Sequence, residues 1–397
     1  MTVAPRGSTN AIYSLLYCWG MLICSANVSG FSIVSSHLSV TKCRSSLSPF
    51  FLTKAKRRAC MTTQSSTFSD LDSFFSSLRE DENDFQVSVD AALKIHAQCS
   101  PEQVRFVDGT WTLPTPSSST LKPRQLFEQG PRIPNAIFLD IDDLADTTTN
   151  LPHMMPSPTL WNAYMNAYQI TNNHHLIVYG QTTNCMYIHR AFVQLLSMGH
   201  DPSKLHLCTA SFEEWQAAGG PVETSVKSVL TAKEVLDRDS TGTYQATEPQ
   251  AVIDKDALLS IVNTQSKSLV DNNKYRIIDV RSPDRFYARV DEPRLGLRKG
   301  HIPGARNVFF ASLLQDKAPI RLKPKADLEP ILADYLKSPQ GEQEETTIIS
   351  LCGSGATACT LKAALMVCGR DPKSILLYDG SWCEWGADPE TPIVVGD

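Results

Sequence analysis

The segment TIISLCGSGATACTLKAAL, residues Thr347–Leu365, determines the fold around it through the order of its parts. A short run rich in β-branched residues comes first, a glycine-rich turn follows, and a run with helical apolar spacing ends the segment. This order is typical of a strand–loop–helix unit. The segment therefore predicts that Cys352 stands at the carboxyl end of a strand and that a helix starts near Thr357.

The glycines of this turn are compatible with more than one kind of chemistry. Residues Gly353–Ala358 satisfy the degenerate dinucleotide fingerprint G-x-G-x-x-A, but that fingerprint usually follows the first strand of its fold, and here it lies near the end of the chain. A C-x5-R phosphatase loop would need an arginine six residues after Cys352, where Ala358 stands. Nucleotide binding and phosphate chemistry are therefore both disfavoured.

Cys352 itself has two interpretations. Backbone N–H groups in such a turn, together with the N-terminus of the following helix, favour a thiolate over a thiol and so favour a nucleophile. The competing interpretation is a small buried core residue, which is the common fate of an isolated cysteine. The Gly-x-Gly sequence directly after Cys352 favours the nucleophile.

Four segments occur twice in the chain, in the same order, which indicates a duplicated domain. Each copy has an apolar strand ending in Asp, a turn in which Gly is followed by Ile-Pro-x-Ala, a second apolar strand, and a Gly-x-Asp-Pro turn before a third strand. The matched pairs are Val104–Asp108 with Tyr275–Asp279, Gly130–Ala136 with Lys299–Ala305, Leu176–Gly180 with Ile348–Cys352, and Gly199–Pro202 with Gly369–Pro372.

Within each copy, short β-type runs alternate with amphipathic helical stretches such as Tyr187–Met198 and Thr357–Cys368. This alternation predicts an α/β fold with a mostly parallel sheet flanked by helices in each copy. We expect an N-terminal domain at residues 85–223, a linker at 224–250 and a C-terminal domain at 251–397. In the first copy, Gly180 stands where Cys352 stands in the second.

Composition limits the partners that the protein can have. The 397 residues carry a net charge of −5, and 42% of them are apolar. A nucleic-acid-binding protein normally shows a basic stripe, and the dense basic run here, Lys54–Arg58, lies near the N-terminus. The eleven cysteines include no C-x-x-C pair, which argues against a zinc site and a disulfide framework. We expect neither a metal nor another cofactor, no nucleic acid, and a reducing compartment.

The first sixty residues predict a targeting leader. They contain no acidic residue but many Ser, Thr, Lys and Arg, and the apolar stretch at 11–24 is too short to cross a bilayer comfortably. A signal-like part is followed by a transit-like part, which favours a plastid or a mitochondrion. The secretory pathway and an ordinary N-terminal tail are the alternatives. No stable membrane insertion of the mature protein is expected.

The loop Cys352–Cys359, in the second of two repeats, resembles the active-site loop of the 3-mercaptopyruvate sulfurtransferases of the rhodanese superfamily. The resemblance extends to Gly300–Ala305, to Asp379–Trp382, and to Asp140–Asp142 followed by Pro152–Met154. It implies two tandem rhodanese-like domains of which only the C-terminal one is catalytic, and Gly180 at the position of Cys352 in the first copy agrees with this. It also implies that sulfur passes from 3-mercaptopyruvate to a cysteine persulfide, with release of pyruvate, and then to a thiol, a thioredoxin-type protein or cyanide.

The resemblance also implies roles for particular residues. Cys352 would be the nucleophile, and Arg285 with Arg294 would bind the substrate's carboxylate and carbonyl. Ser354, with His153 and Asp142 from the other domain, resembles a proposed Ser-His-Asp proton relay. The remaining loop residues are expected to line the substrate site: Gly353, Gly355, Ala356 and Thr357.

Several alternatives stay open at this stage. The two arginines could form surface ion pairs, and His153 could cap a turn. The donor could be thiosulfate, or the protein could be a non-enzymatic relay that only accepts a persulfide. Ala356 replaces the Val that is usual in the loop, and Thr209–Phe212 replaces the expected Asp-Gly-Gly-type turn. Cys185 and Cys359 are predicted core thiols, although Cys359 is close enough in sequence to be a redox partner of Cys352.

Overall fold

The computed structural model describes residues 68–78, 85–113, 121–238, 241–265, 274–336 and 346–396. The predicted leader, residues 1–60, lies outside the described residues, as does the side chain of Cys185. Both copies of the repeat belong to one structural unit, which extends from Gln64 to the C-terminus.

The first copy is built on a five-stranded sheet in which every pair of neighbouring strands is parallel. Its strands lie in the spatial order β1-β5-β4-β2-β3. The strands are β1 (Gln86–Val87), β2 (Val104–Asp108), β3 (Ile137–Phe138), β4 (His175–Gly180) and β5 (Leu205–Ser211). The helices are α1 (Phe68–Ser77), α2 (Val89–Gln98), α3 (Pro123–Gln129), α4 (Pro158–Ala167), α5 (Ile188–Ser197), α6 (Phe212–Ala217) and α7 (Ala232–Leu236).

The second copy repeats this architecture. Its sheet is also parallel throughout, in the order β6-β10-β9-β7-β8, which is the same arrangement with each strand number raised by five. The strands are β6 (Val252–Ile253), β7 (Tyr275–Asp279), β8 (Arg306–Asn307), β9 (Thr347–Leu351) and β10 (Ile375–Tyr378). The helices are α8 (Lys255–Gln265), α9 (Pro283–Phe286), α10 (Lys325–Leu336), α11 (Ala358–Val367) and α12 (Ser381–Trp385).

The two sheets confirm the predicted α/β fold with a mostly parallel sheet in each repeat. Five residue pairs join β2 to β4, starting at Val104 and His175, and five join β7 to β9, starting at Tyr275 and Thr347. Because adjacent parallel strands end at the same edge of a sheet, the residues that follow β4 and β9 lie at the carboxyl edge, where ligands bind in open α/β folds.

The segment predicted as the linker, residues 224–250, contains helix α7 and packs on the first copy. Val235 is buried in the core. The Tyr244 N–H donates to Asn166 at 2.9 Å and the Ala246 N–H donates to Asn162 at 2.7 Å, both on helix α4. The chain therefore follows the surface of the first copy before it enters the second.

Helices α5 and α11 pack against each other where the two copies meet. Nine of the ten residues of each helix are buried, including polar ones such as His189, Arg190 and Thr360. His189 Nδ1 lies 3.2 Å from the Thr360 hydroxyl. Each helix is covered by its own sheet on one side and by the other copy on the other, so the copies share one apolar core.

Candidate active site

Cys352 directly follows strand β9, as the sequence predicts, and its side chain is buried with 2% exposure. Its N–H donates to the Ser381 hydroxyl at 3.1 Å, and its carbonyl accepts from Trp382 N–H at 3.0 Å. The Gly353 carbonyl accepts from Cys383 N–H at 2.9 Å. Helix α12 therefore fixes the first two residues of the loop by three hydrogen bonds.

Gly355 is the position of the loop that only glycine fits. Its φ is +78°, a left-handed conformation that side chains rarely adopt. A Cβ atom here would also lie 2.8 Å from two oxygen atoms of Asp379 and 3.3 Å from the Arg190 guanidinium. The loop thus passes close to an ion pair, and this close approach explains the second glycine of the Gly-x-Gly sequence.

The other loop residues surround this turn. Ser354 and Ala356 are buried, and Thr357 is half-buried just before helix α11, which begins at Ala358 as the sequence predicts. The Cys359 thiol donates to the Gly355 carbonyl at 3.3 Å. Burial raises the pKa of this thiol to about 12, despite the opposing charge of Arg190. Such a thiol stays protonated near neutral pH, which supports the prediction that Cys359 is a core residue.

Arg285 lies against the beginning of the loop. Its Nη2 would be 3.0 Å from a Cβ atom placed on Gly353. Its Nε lies 3.2 Å from each carboxylate oxygen of Glu292, and the Glu292 carboxylate is itself buried and bonded to Arg281 at 2.8 Å. The guanidinium of Arg285 is thereby oriented by a buried carboxylate. It is therefore not a surface ion pair of the kind that the sequence left open.

Arg294 is exposed, and no hydrogen bond or ion pair joins it to another residue in the described part of the chain. Its charge nevertheless acts on the thiol of Cys383. Burial raises the pKa of this thiol, while Arg294 and Arg285 both oppose that rise. The Cys352 thiol acts on Cys383 as well. Both predicted arginines therefore act on Cys383, whose N–H donates to the Gly353 carbonyl of the loop.

His153 and Asp142 form the pair that the resemblance implies. His153 Nδ1 lies 2.6 Å from Asp142 Oδ1, and Trp111 Nε1 donates to Asp142 Oδ2 at 2.8 Å. Partial burial would raise the pKa of Asp142, but these two hydrogen bonds outweigh it and the pKa is lowered. The His153 backbone has a positive φ of 61°, which for a non-glycine residue indicates local strain.

The third member of the predicted relay is not hydrogen-bonded to the other two. His153 is buried, and among the described residues its Nε2 atom has no hydrogen-bond partner. The Ser354–His153 hydrogen bond of the relay is therefore not formed in this structure. What is present is an imidazole oriented by Asp142, with a buried second nitrogen that makes no hydrogen bond among the described residues.

Sequence reasoning missed an ion pair behind the loop. Arg190, on helix α5 of the first copy, and Asp379, after strand β10 of the second, are both buried, with Nη1 and Oδ1 2.5 Å apart. The signal was present in the sequence, because Arg190 stands in the first turn of a largely apolar helical stretch. A charged residue at such a position is rarely fully buried unless it is paired.

Sequence reasoning also missed the network that supports Arg285 and its partner Glu292. Arg281 is fully buried, bonds both oxygens of Asp279, and lies with its guanidinium 4.1 Å from the centre of the Trp382 ring. It therefore joins strand β7, Glu292 and helix α12. Within the described ranges, no group of three His, Cys, Asp or Glu residues could hold a metal ion, and no helix is long and apolar enough to cross a membrane.

Comparison with known protein families identifies similarity over both copies. The model of the Rhodanese-like domain family matches residues 263–388. The Arabidopsis thaliana protein named thiosulfate/3-mercaptopyruvate sulfurtransferase 2 is 31% identical over 328 residues, which cover 79% of this chain and 87% of the relative. Its counterpart named thiosulfate/3-mercaptopyruvate sulfurtransferase 1, mitochondrial, is 28% identical over 75% of this chain and 76% of the relative.

A solved structure extends the similarity to three dimensions. The crystal structure of the Tum1 protein from Saccharomyces cerevisiae superposes with a TM-score of 0.64 at 26% identity, over 79% of this chain and 98% of that protein. The similarity covers the whole of a two-domain protein rather than a single domain. The predicted tandem architecture is thereby confirmed.

Proposed function

The chain belongs to the family of thiosulfate/3-mercaptopyruvate sulfurtransferases, and we propose that it transfers sulfur from 3-mercaptopyruvate through a persulfide on Cys352. In the first step the Cys352 thiolate attacks the sulfur of the substrate, and the carbon–sulfur bond breaks. The carbon fragment leaves as the enolate of pyruvate and takes up a proton. In the second step an acceptor thiol removes the outer sulfur and regenerates the Cys352 thiolate.

One observation carries this proposal: the loop that begins with Cys352 lies against the guanidinium of Arg285, which Glu292 orients. A planar guanidinium suits the bidentate recognition of a carboxylate. Arg294 supplies a second positive charge that acts on Cys383 next to the loop, and it has no partner among the described residues. Arg285 and Arg294 together form what we call the arginine clamp. A thiol next to this clamp is suited to a small anionic sulfur donor.

The clamp also favours an enzyme over a persulfide relay. A relay protein would accept sulfur from another protein and would need no cationic site for a small carboxylate. Arg285 is 14% exposed at its side chain, so it is accessible to a ligand while it stays bonded to Glu292. We assign carboxylate recognition to Arg285 and Arg294, and loop contacts to Gly353, Gly355, Ala356 and Thr357.

His153 and Asp142 are suited to proton movement in this reaction. Asp142 holds His153 through Nδ1, so the uncommitted Nε2 is the atom that would exchange a proton. Ser354, in the loop, would connect this nitrogen to the substrate once the substrate is bound. Catalytic hydrogen bonds are often absent before substrate binds and form only in the complex.

Thiosulfate is the second candidate donor, because both Arabidopsis relatives carry it in their names. The physical argument against it is charge. Thiosulfate is a dianion, and the two residues directly after Cys352 are Gly353 and Ser354, neither of which is cationic. The monoanionic 3-mercaptopyruvate is met by the arginines outside the loop. We therefore propose 3-mercaptopyruvate as the preferred donor.

The acceptor and the compartment are also part of the proposal. We propose a thiol or a thioredoxin-type protein as the acceptor, with cyanide as an artificial one. We further propose that residues 1–60 direct the protein to an organelle. The basic, acid-free composition of that segment supports this, as does the word mitochondrial in the name of one relative. Between mitochondrion and plastid, that name favours the mitochondrion.

The direct test is a single incubation with two readouts. Purified protein is mixed with 3-mercaptopyruvate, pyruvate is quantified, and the peptide containing Cys352 is weighed by mass spectrometry. We expect pyruvate release and a mass gain of one sulfur atom on that peptide. A mass gain without pyruvate, seen only when a persulfidated protein is the donor, would instead support the relay. The absence of both pyruvate release and the mass gain would refute the proposed function.

A further inference from the structure

The buried ion pair Arg190–Asp379 joins three parts of the site. Arg190 Nη1 lies 2.5 Å from Asp379 Oδ1, and Arg190 Nη2 donates to the carbonyl of His153. The second carboxylate oxygen of Asp379 accepts from Met155 N–H at 2.7 Å. Gly355 approaches the pair so closely that a Cβ atom would clash with Asp379 at 2.8 Å and would lie 3.3 Å from Arg190. The segment of His153 and the loop of Cys352 are therefore held by one pair of charges.

The pair exists on only one side of the pseudosymmetric interface. Counting from the matched Gly199 and Gly369, the position of Arg190 corresponds to Thr360, and the position of Asp379 corresponds to Thr209. Thr360 is hydrogen-bonded to His189 and to the Met186 carbonyl, and Thr209 donates to the Val87 carbonyl at 3.3 Å. No charge occupies either position, so a fully buried ion pair joins the copies where the cysteine loop lies. Beside the loop after β4, the ion pair that joins the copies is Arg321–Glu214, and both of its side chains are partly exposed.

This asymmetry is difficult to explain by stability alone. Removing two charges from water costs free energy that their attraction often fails to return, so a buried ion pair is weak evidence for stabilisation. An interface that needed only cohesion could use apolar contacts or threonine hydrogen bonds on both sides. The charged pair instead fixes directions, because a guanidinium and a carboxylate bond only in a defined geometry.

We propose that Arg190 is a positioning residue for sulfur transfer, acting from the first copy through Asp379 and His153. This inference rests on the proposed function. Arg190 bonds both to Asp379, which borders the turn of the cysteine loop at Gly355, and to the backbone carbonyl of the strained His153. It thereby keeps these two parts of the site at a fixed distance from each other. The copy that has lost the cysteine thus contributes a residue that the other copy's reaction requires.

The test compares two fully buried arginines. Arg190→Met removes the charge and keeps much of the volume. Arg132→Met is the matched control, because Arg132 is equally buried and pairs with Glu223 at 2.8 Å but contacts no residue of the site. For each variant we would measure kcat and KM with 3-mercaptopyruvate, the Tm, and the rate at which iodoacetamide alkylates Cys352.

We expect Arg190→Met to lower kcat by about ten- to a hundredfold, since small displacements of reacting groups have effects of this size. KM should change less than about threefold, because the arginine clamp belongs entirely to the second copy. Alkylation of Cys352 should slow, and Arg190→Lys should restore part of kcat. Arg132→Met should lower the Tm and leave both rates unchanged. If Arg190→Met and Arg132→Met lower the Tm by the same amount and both keep the wild-type kcat, Arg190 has only a structural role.

Two further measurements test the inference. If Arg190→Met does not fold, Asp379→Asn removes one charge without a change of volume, and it should likewise lower kcat while changing KM little. Wild-type rates in Asp379→Asn would overturn the inference. If Arg190 acts through His153, the losses of Arg190→Met and His153→Asn should be less than multiplicative when combined; fully multiplicative losses would overturn that route. The alkylation rate needs no sulfur donor, so it tests Arg190 even if the wild type releases no pyruvate.

Discussion

The loops that follow β4 and β9 occupy the same place in two nearly identical sheets, yet they differ in every feature that matters for chemistry. After β9 come Cys352 and the Gly-x-Gly turn, bordered by a guanidinium. The loop after β4 begins at Gly180 and continues with Gln-Thr-Thr-Asn. In the first copy, the residues between Asp108 and the matched Gly130 include one arginine, Arg124, and it is paired with Glu128, Asp140 and Asp143 of its own copy. A common fold therefore provides the place for a site, but not the site itself.

The strands next to these loops differ in the same way. Asp279 ends β7 and is bonded by the buried Arg281 at 2.6 Å. Asp108 ends β2 and is equally buried, but the corresponding position two residues later is Thr110, whose N–H donates to Asp108 Oδ1 at 2.9 Å. Asp108 Oδ2 has no hydrogen-bond partner among the described residues. In the second copy, Arg281 neutralises the charge of Asp279. In the first copy, no cation among the described residues forms an ion pair with Asp108.

The largest expected effect concerns the cysteine that distinguishes the loops. Cys352→Ser should abolish turnover, since a hydroxyl cannot carry a persulfide, while Cys185→Ser should leave it nearly unchanged. Adding Gly180→Cys to Cys352→Ser should not restore activity, because the first loop lacks both the glycines and the clamp. Pyruvate release and circular dichroism spectra would be measured together. Activity of Cys352→Ser above a trace would show that another cysteine carries the sulfur.

The second effect concerns charge in the same two loops. The wild type should have a kcat/KM for 3-mercaptopyruvate at least about a hundredfold above that for thiosulfate, since two missing cations, each within about 4 Å of the dianion, account for several kcal/mol at an intermediate dielectric. Gly353→Arg with Ser354→Lys should shift the ratio toward thiosulfate. A Cβ atom on residue 353 would lie 3.0 Å from Arg285, so an arginine at this position would be crowded by that side chain. The single substitution Ser354→Lys avoids this crowding and is the cleaner test.

The control for this charge argument lies in the first copy, where Thr182→Lys adds the same charge at the corresponding position. It should leave the donor ratio unchanged. Both specificity constants would be measured at one pH and one ionic strength, because salt screens exposed charges. If the wild type uses thiosulfate as well as 3-mercaptopyruvate, the charge argument is wrong.

The third effect is on stability and uses the two aspartates. Asp279→Asn should lower the free energy of unfolding by about 3–5 kcal/mol, because it leaves Arg281 buried with one partner fewer. For Asp108, burial raises the pKa to about 7, against the opposing hydrogen bonds of Thr110. The folded state then binds a proton more tightly than the unfolded state. The wild type should therefore lose stability as the pH rises from about 4 to about 7.

Asp108→Asn removes this dependence, so its stability relative to the wild type should increase with pH. Between pH 5 and pH 8 we expect a gain of about 3 kcal/mol, measured by urea unfolding of both proteins at each pH. The comparison of variant with wild type cancels the titration of other groups. A difference that does not change with pH would show that Asp108 is ionised in the folded protein throughout this range.

The smallest effect separates the two arginines of the clamp. Arg285→Ala should raise KM for 3-mercaptopyruvate by about thirtyfold, which corresponds to about 2 kcal/mol for a partly desolvated charge contact. Arg294→Ala should raise it by about tenfold, because Arg294 is exposed. Arg321→Ala is the control, since Arg321 belongs to the same copy but pairs with Glu214 of the first. If both Arg285→Ala and Arg294→Ala keep the wild-type kinetics, the alternative that the protein is a non-enzymatic persulfide relay gains support.

The sequence was sufficient to predict the fold, because the repeat shows twice which runs are strands. It also located Cys352 and the start of the next helix, since glycine turns and helix starts are local signals. The contacts of Arg190, Arg281 and Ser381 could not be predicted, because each depends on atoms that are remote along the chain. The Ser354–His153 hydrogen bond of the relay was expected from the resemblance and is not formed, since the orientation of His153 depends on backbone geometry that no residue pattern encodes.

Helices α5 and α11 have no face left for solvent, and this has a consequence for the origin of the chain. One copy alone, with a helix of this composition, would expose an apolar flank and would be stable only when associated with a second copy. Such an association depends on concentration. Joining the copies in one polypeptide makes it intramolecular, with an effective concentration set by the connecting segment. Once joined, the copies no longer have to be alike, and one of them is free to lose its own cysteine.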